Sequence, residues 1–125
     1  MKTIILTFFL TYMQLFAYST ELRQVFAVAI ADSKGNSENI QNVRVTKNDY
    51  SGTCYTKIFI NGRFYNQKPT VKIGTSIGHY QSSQTVYNKK TKIGKILIYK
   101  HYRVKSGMLK VYFGDTLYDS RVKIK

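Results

Sequence analysis

Short runs of alternating hydrophobic and polar residues follow one another along this chain, with turn residues between them. Tyr, Val, Ile, Phe and Thr dominate the runs, which is typical of half-buried strands. Turn signals recur about every 8–15 residues, the spacing of sandwiches and barrels. The pattern predicts an all-β fold, a single antiparallel β-sandwich that is immunoglobulin-like or related. The predicted strands are Ile40–Lys47, Cys54–Ile60, Arg63–Gln67, Thr70–Ile77, Tyr80–Tyr87, Lys95–Val104, Met108–Phe113 and Leu117–Lys125.

The segment Leu22–Ala31 fits two kinds of element. Its apolar residues are spaced as on one face of an amphipathic helix. The same stretch also reads as a strand that is apolar on both faces and enters a turn at Asp32–Asn36. We predict the strand, because the turn chemistry and the following apolar positions Ile40, Val43 and Val45 suit a hairpin.

Two glycine-containing segments predict tight turns. Asn61-Gly62 is the strongest short-range hairpin signal in the chain. Gly74–Gly78 has glycines at both ends, like a phosphate-binding loop, but it lacks the lysine and the strand–loop–helix setting that make such a loop specific. We therefore predict a hairpin at Asn61-Gly62 and a bulge or tight turn at Gly74–Gly78.

The last three runs predict a three-stranded meander. A two-residue loop at Ser106-Gly107 pairs Val104 with Leu109 and keeps apolar side chains opposite one another, whereas a three-residue loop would reverse one strand's faces. The side chains predicted to face the core are Ile96, Ile98, Tyr102, Val104, Leu109, Val111, Phe113, Ser120, Val122 and Ile124.

A second turn at Gly114-Asp115 continues the meander. It pairs Phe113 with Thr116 and places Lys110 opposite Asp119, an opposite-charge pair. Basic and aromatic side chains on one face are typical of polyanion-binding surfaces. The predicted polyanion site on the solvent face is Lys95, Tyr99, His101, Arg103, Lys110, Tyr112, Arg121 and Lys123, and a secondary basic loop is formed by Lys89, Lys90 and Lys92.

Residues 1–19 have the features of a secretory signal peptide. A lysine follows the initial methionine, an uncharged stretch comes next, and Ala17 and Ser19 supply the small residues of a cleavage site. The most apolar part, Ile4–Phe16, is shorter than the ~20 residues of a membrane-spanning helix. We predict cleavage after Ser19, with cleavage after Ala17 as second choice, and one domain at 20–125. The mature protein would be secreted or extracellular, or periplasmic in a bacterium, without a transmembrane segment.

The chain is strongly basic, since it has 20 Lys and Arg against 6 Asp and Glu, a formal net charge of +14. Such a surface attracts acidic glycans, anionic headgroups, nucleic acid and acidic proteins. Lys, Asn, Ile and Tyr are all abundant, as an AT-rich genome would produce, so compositional drift is a second explanation of the charge.

Groups for catalysis are sparse. Cys54 shares strand parity with Ile58 and Ile60, which predicts a core thiol rather than a nucleophile or an intermolecular disulfide. His79 and His101 are the two histidines, and they form no metal-ligand pattern with carboxylates. We expect no enzyme activity, no metal site and no cofactor.

These features together predict a secreted cationic binding module. Its expected partner is a polyanion or an acidic surface, namely an acidic glycan, an anionic surface or an acidic protein. The first alternative is an interaction or structural subunit of a secreted or cell-surface assembly, with a homo-oligomer formed through exposed strand edges. The second alternative is a small secreted hydrolase or toxin.

Overall fold

The computed structural model describes residues 21–64 and 67–125, and this part of the chain is all-β. The predicted signal peptide, residues 1–19, lies outside the described residues. Within the described ranges, no helix is long and apolar enough to cross a membrane. The strands there are β1 (Glu21–Asp32), β2 (Ser37–Asn39), β3 (Gly52–Arg63), β4 (Thr70–Ile73), β5 (Ser76–Ile77), β6 (His79–Asn88), β7 (Thr91–Val104), β8 (Gly107–Phe113), β9 (Thr116–Asp119) and β10 (Lys123–Ile124).

The first of two antiparallel sheets has the strand order β2-β1-β3-β7-β6. β1 turns into β2 through Asp32–Asn36, where the Asp32 carboxylate accepts hydrogen bonds from the backbone N–H groups of Lys34 and Asn36, both at 2.9 Å. Leu22–Ala31 lies within β1, so the predicted strand is confirmed, and so is the turn that follows it.

The second sheet has the order β10-β8-β4-β5, and β9 also pairs with β8. The turn at Gly114-Asp115 joins β8 to β9 with Phe113 opposite Thr116, as predicted. Gly74, with φ +57, lies in the short connection between β4 and β5. The tight turn predicted within Gly74–Gly78 is confirmed.

One hydrophobic core is shared by the two sheets. Burial raises the pKa of the Cys54 thiol to about 12, and this side chain is fully buried, so the predicted core thiol is confirmed. Val122 and Ile124 also face the core as predicted. Other members are Ile30, Ile58, Ile60 and Leu97 from the first sheet and Val71, Ile73, Leu109 and Val111 from the second.

The predicted hairpin at Asn61-Gly62 is wrong, because both residues lie inside β3. β3 continues through them because β1 is its partner there. Leu22 pairs with Gly62 and Gln24 pairs with Asn61, which leaves Arg23 as the extra residue of a β-bulge. Gly62 has φ +104, a conformation that glycine adopts without strain.

Four of the predicted strands do not form as predicted. The turn at Gly74 divides Thr70–Ile77 into β4 and β5, and Leu117–Lys125 is divided into β9 and β10. Ile40–Lys47 is mostly irregular, and Val45 makes an isolated parallel bridge to Lys123. Of Arg63–Gln67, Arg63 ends β3, residues 65–66 lie outside the described residues, and the remaining described positions are not in a strand.

The predicted meander is wrong at its first turn. β7 pairs with β3 and β6 in the first sheet, whereas β8 pairs with β4 in the second. The short connection after Val104 therefore crosses between sheets. Arg103 has φ +53, and a register shift separates the His101 and Val104 pairs with β3. This irregularity ends the regular pairing of β7 just before the crossing.

The predicted faces of β7 are reversed as far as Tyr102, whereas Val104 is buried and Arg103 is exposed as predicted. Tyr99 and His101 are buried, while Tyr102 is 48% exposed. The core supplies the hydrogen-bond partners that polar tips of buried aromatic residues need. The Tyr99 hydroxyl donates to the Pro69 carbonyl at 2.6 Å, and a hydrogen bond of 2.8 Å joins His101 Nε2 to Thr56 Oγ1. The core-facing prediction also fails for Ile96, Ile98 and Ser120, which are half-buried or exposed.

The predicted pair of Lys110 with Asp119 is also wrong. A bulge places Val111 opposite Asp119, whose buried carboxylate forms an ion pair with Arg121 at 2.8 Å. It also accepts a hydrogen bond from the Ala27 N–H at 2.8 Å, which ties β1 to the end of β9. Burial acts to raise the pKa of Asp119, but the hydrogen bonds from Arg121 and Ala27 hold it below its ordinary value.

Candidate anion-binding cleft

A cationic cleft opens at one end of the first sheet, where β1 and β7 begin and β3 ends. Its volume is about 490 Å³. The three strands run antiparallel to their neighbours, so residues distant in sequence meet at this end. The lining residues, which we call the anion-binding cleft, are Arg23, Asn61, Gly62, Arg63, Phe64, Lys92, Ile93, Gly94 and Lys95.

Two β-bulges flank the cleft. Arg23 is the extra residue on β1, as described above. Ile93 is the extra residue on β7, because Val86 pairs with Gly94 and Tyr87 pairs with Lys92. Bulges re-aim side chains and are over-represented next to functional sites. The bulges interrupt the regular alternation of side chains at Arg23 on β1 and at Ile93 on β7, and both residues line the cleft.

Gly94 allows β7 to approach β3 closely at the cleft. A Cβ atom there would lie 2.7 Å from the Ile60 carbonyl oxygen and 2.7 Å from Cζ of Phe59. Both distances are shorter than van der Waals contact, and one involves backbone. The position therefore requires a residue without a side chain.

The cationic side chains of the cleft differ in their exposure and contacts. Those of Arg23 and Lys92 are exposed and make no hydrogen bond or ion pair with the described part of the chain. Lys95 is half-buried, and its Nζ lies 5.9 Å from the centroid of the Phe64 ring, within reach of a cation–π interaction. Arg63 has Glu21 as its Cα partner across β1 and β3.

A buried amide also lines the cleft. The Asn61 Nδ2 group donates to Gln24 Oε1 at 3.3 Å, while its Oδ1 is buried without a hydrogen-bond partner among the described residues. The side chain as a whole is half-buried, and an amide oxygen can accept two hydrogen bonds. The site thus combines cations, an aromatic ring and a polar group with unused hydrogen-bonding capacity.

Three of the acidic side chains lie away from the cleft, toward the opposite end of the first sheet. Asp32 bonds to its own turn. Glu38 accepts hydrogen bonds from the Lys47 N–H at 2.8 Å and from the Tyr50 hydroxyl at 2.9 Å, and Asp49 accepts from the Ser51 hydroxyl at 2.6 Å. These carboxylates are used locally, so they do not neutralise the cleft.

The structure brings together members of both predicted sites. Lys95 comes from the predicted face and Lys92 from the predicted basic loop, and both line the cleft. Lys89 and Lys90 form the two-residue turn between β6 and β7, next to it, and both are exposed. The loop and the strand are therefore parts of one basic end of the molecule.

The other predicted site residues do not line the cleft. Tyr99 and His101 are in the core, and Arg121 is engaged with Asp119. Burial raises the pKa of Tyr99 well above its ordinary value. Of the remaining four, Arg103 lies at the far end of β7 in the first sheet. Lys110 and Tyr112 on β8 and Lys123 on β10 share one face of the second sheet, because Lys123 pairs with Met108.

Sequence reasoning missed Arg23, Asn61, Arg63 and Phe64. The pairing of β1 with β3 brings them to the cleft, and the Asn61-Gly62 sequence instead indicated a turn. One sequence feature could have indicated the cleft: Arg23 stands at the start of one apolar run and Arg63 at the end of another. Using it would have required knowing that these runs pair.

A smaller groove of about 180 Å³ continues from the cleft toward β6. Phe64 and Lys95 line both spaces. Lys68 lines the groove as well, with its Nζ 4.7 Å from the centroid of the Tyr80 ring. The two spaces are therefore neighbours that share Phe64 and Lys95.

The arrangement is suited to holding anionic groups. Within the described residues, no group of His, Cys, Asp and Glu could hold a metal ion, and the described cleft lining has no thiol, imidazole or carboxylate for acid–base or nucleophilic chemistry. Comparison with protein-family models, with curated proteins and with solved structures found no match to this chain.

Proposed function

We propose that this chain is a cationic binding module whose anion-binding cleft holds a polyanionic or acidic partner. The class of partner includes an acidic glycan, an anionic surface and an acidic protein. The observation that carries the proposal is the convergence of Arg23, Arg63, Lys92 and Lys95, from three strands, on one cleft that Phe64 also lines. No carboxylate lies among the described side chains that line this cleft.

The physical basis is electrostatic. Clustered cations raise the local concentration of anions and steer their approach. Each cation that neutralises a sulfate, phosphate or carboxylate of a polyanion displaces condensed counterions, so affinity falls as salt rises and the salt slope counts the contacts. The Phe64 ring adds apolar contact area beside the charges.

We also propose the setting in which this module works. The two sheets with a common core support a β-sandwich, and the strand order fits a related sandwich better than the immunoglobulin constant-type order. The signal-peptide pattern at residues 1–19 supports secretion. The module then acts by binding rather than by catalysis.

A pair of matched double variants tests the cleft. Lys92→Glu with Lys95→Glu reverses two charges in the cleft, and Lys110→Glu with Lys123→Glu makes the same change in net charge on the second sheet. On a heparin column, the cleft variant should elute at much lower salt than the control variant. Its salt slope should be shallower by about two contacts.

Two outcomes of the heparin experiment would contradict the proposal. If both double variants lose retention to the same extent, net charge alone drives binding and the cleft has no special role. If the wild-type protein is not retained at low salt, the basic composition has no binding function of this kind.

A further inference from the structure

Among the described residues, the strand β6 is a long edge of the first sheet whose one neighbour is β7. Among the described edge strands, β2 has 3 residues, β5 and β10 have 2 each, β9 has 4, and β6 has 10. Very short edge strands are one way in which proteins avoid pairing with other chains. β6 is not protected in this way, since an edge of that length offers a row of unpaired backbone N–H and C=O groups.

The side chains of β6 do not protect it either. Its sequence, HYQSSQTVYN, contains no Lys, Arg, Asp, Glu or Pro, and charges and prolines are the other common guards of an edge. A register shift occurs between Tyr80 and Ser82, but Ser82–Val86 pairs regularly with β7 and is exposed over most of its length. The chain keeps this edge neutral although it is otherwise rich in lysine.

The surroundings of β6 are basic. Lys68 lies over the Tyr80 ring at one end, and the Lys89-Lys90 turn follows the other end. Lys95 is the Cα partner of Thr85 on the neighbouring strand. A strand added to the edge would therefore run along a neutral backbone between cationic side chains.

We propose that β6 binds an extended acidic segment of a partner polypeptide as an additional strand. This proposal deepens the proposed function and rests on it, because it names the partner class as a polypeptide. Backbone hydrogen bonds would hold the strand, and side-chain contacts would select its sequence. A second copy of this chain is the less suitable occupant, since each copy carries a formal net charge of +14 and would be repelled.

The alternation of a strand defines the preferred ligand. An added strand lies about 4.8 Å from β6, and its successive side chains point to opposite faces. One face turns toward Tyr80 and Ser83, which line the groove together with Lys68. Acidic residues at every second position would point to this basic side, and uncharged residues would lie along Ser82 and Gln84.

The test uses a blocked peptide of four Glu-Val repeats as the probe and amide hydrogen exchange of the full protein as the readout. Strand addition should slow exchange at every second amide of Ser82–Val86, the amides that face the open edge. The same peptide with alternate backbone nitrogens methylated keeps its charge but loses hydrogen bonds on one edge. It should bind more than about tenfold more weakly.

A variant pair and a second probe separate the outcomes. Lys68→Glu should weaken binding of the Glu-Val peptide, whereas the control Lys110→Glu should not. A heparin oligosaccharide should bind the wild-type protein without slowing exchange in Ser82–Val86. If the oligosaccharide binds and the peptide produces no alternate protection, the β6 proposal fails and the cleft proposal stands.

Two other results would also overturn the β6 proposal. The first is equal affinity of the methylated and unmethylated peptides, which would mean that charge alone holds the ligand. The second is a concentration-dependent dimer of the free protein with protected Ser82–Val86 amides, which would make the occupant a second copy. If neither probe binds at low salt, the proposed function fails as well.

Discussion

Mild acid should destabilise this protein through one buried imidazole. His101 is 0% exposed, and burial lowers its pKa from an ordinary value of 6.5 to about 4, with a further lowering by His79 and an opposing effect of a backbone hydrogen bond at Ser76. The folded protein therefore keeps the ring neutral where the unfolded chain protonates it. Its contribution to stability is fully present above pH 6.5 and is lost as the pH falls toward 4.

The size of the effect follows from these two pKa values. The free energy of unfolding should fall by up to about 3 kcal/mol across the window, and by about 1 kcal/mol between pH 7.5 and pH 5.5. The carboxylates of Glu38 and Asp119 have pKa values below their ordinary ones, so the stability that they contribute is lost at lower pH than that of His101. The thiol of Cys54, the Cα partner of His101 across β3, stays neutral throughout.

Urea unfolding at the two pH values measures this directly. His79 is exposed and serves as the matched control, since the chain has two histidines. Wild type and His79→Gln should lose stability on acidification, whereas His101→Gln should start less stable and lose little more. The reasoning is refuted if wild type is equally stable at both pH values, or if His79→Gln rather than His101→Gln abolishes the difference.

Three further predictions concern the core and the cleft. Cys54 should react with a maleimide only after denaturation, and rapid labelling of the native protein would contradict its burial. Asp119→Ala should lower the free energy of unfolding by about 2–4 kcal/mol, because the buried Ala27 N–H loses its hydrogen-bond acceptor and Arg121 loses its ion-pair partner. Asp115→Ala, in a turn, should change it little, and equal effects of the two substitutions in urea unfolding would contradict this. Gly94→Ala should cost about 1–3 kcal/mol through overpacking against the Ile60 carbonyl, and an unchanged melting temperature would count against the close approach of β7 to β3.

The positions of several strands along the chain could be predicted, because they depend on the local pattern of apolar and turn residues. Alternation and turn residues identified β3, β6, β7 and β8 closely, and Asp32 supplied its turn with side-chain hydrogen bonds as its chemistry indicated. The strand at Leu22–Ala31 was resolved by the same turn. These features depend on neighbours in the sequence, so the sequence alone contains enough information about them.

The pairing of strands could not be predicted in the same way. The short connection after Val104 suits a hairpin and a crossing between sheets equally well, and the parity of β7 depends on which occurs. Tyr99 and His101 looked like surface residues because their partners, Pro69 and Thr56, come from distant segments. The wrong pairing therefore produced a wrong face, and the predicted site was dispersed with it.

The cleft shows the same limit. Lys92 and Lys95 could be identified as candidates from the sequence, because they are basic residues near a turn. Arg23 is the extra residue of a bulge in β1, and it joins them in the cleft lining through the pairing of β1 with β3. Bulges depend on the register between strands, which local sequence does not determine. A site assembled from three strand ends becomes visible only once the sheet order is known.

Chemical-shift mapping of the native protein with a heparin oligosaccharide tests the central claim most directly. The backbone amides that shift should cluster at Arg23, Asn61–Arg63 and Lys92–Lys95, and the shifts should disappear in the Lys92→Glu, Lys95→Glu variant. Shifts that cluster instead on β8, around Lys110 and Tyr112, or that spread evenly over all basic residues, would contradict the anion-binding cleft.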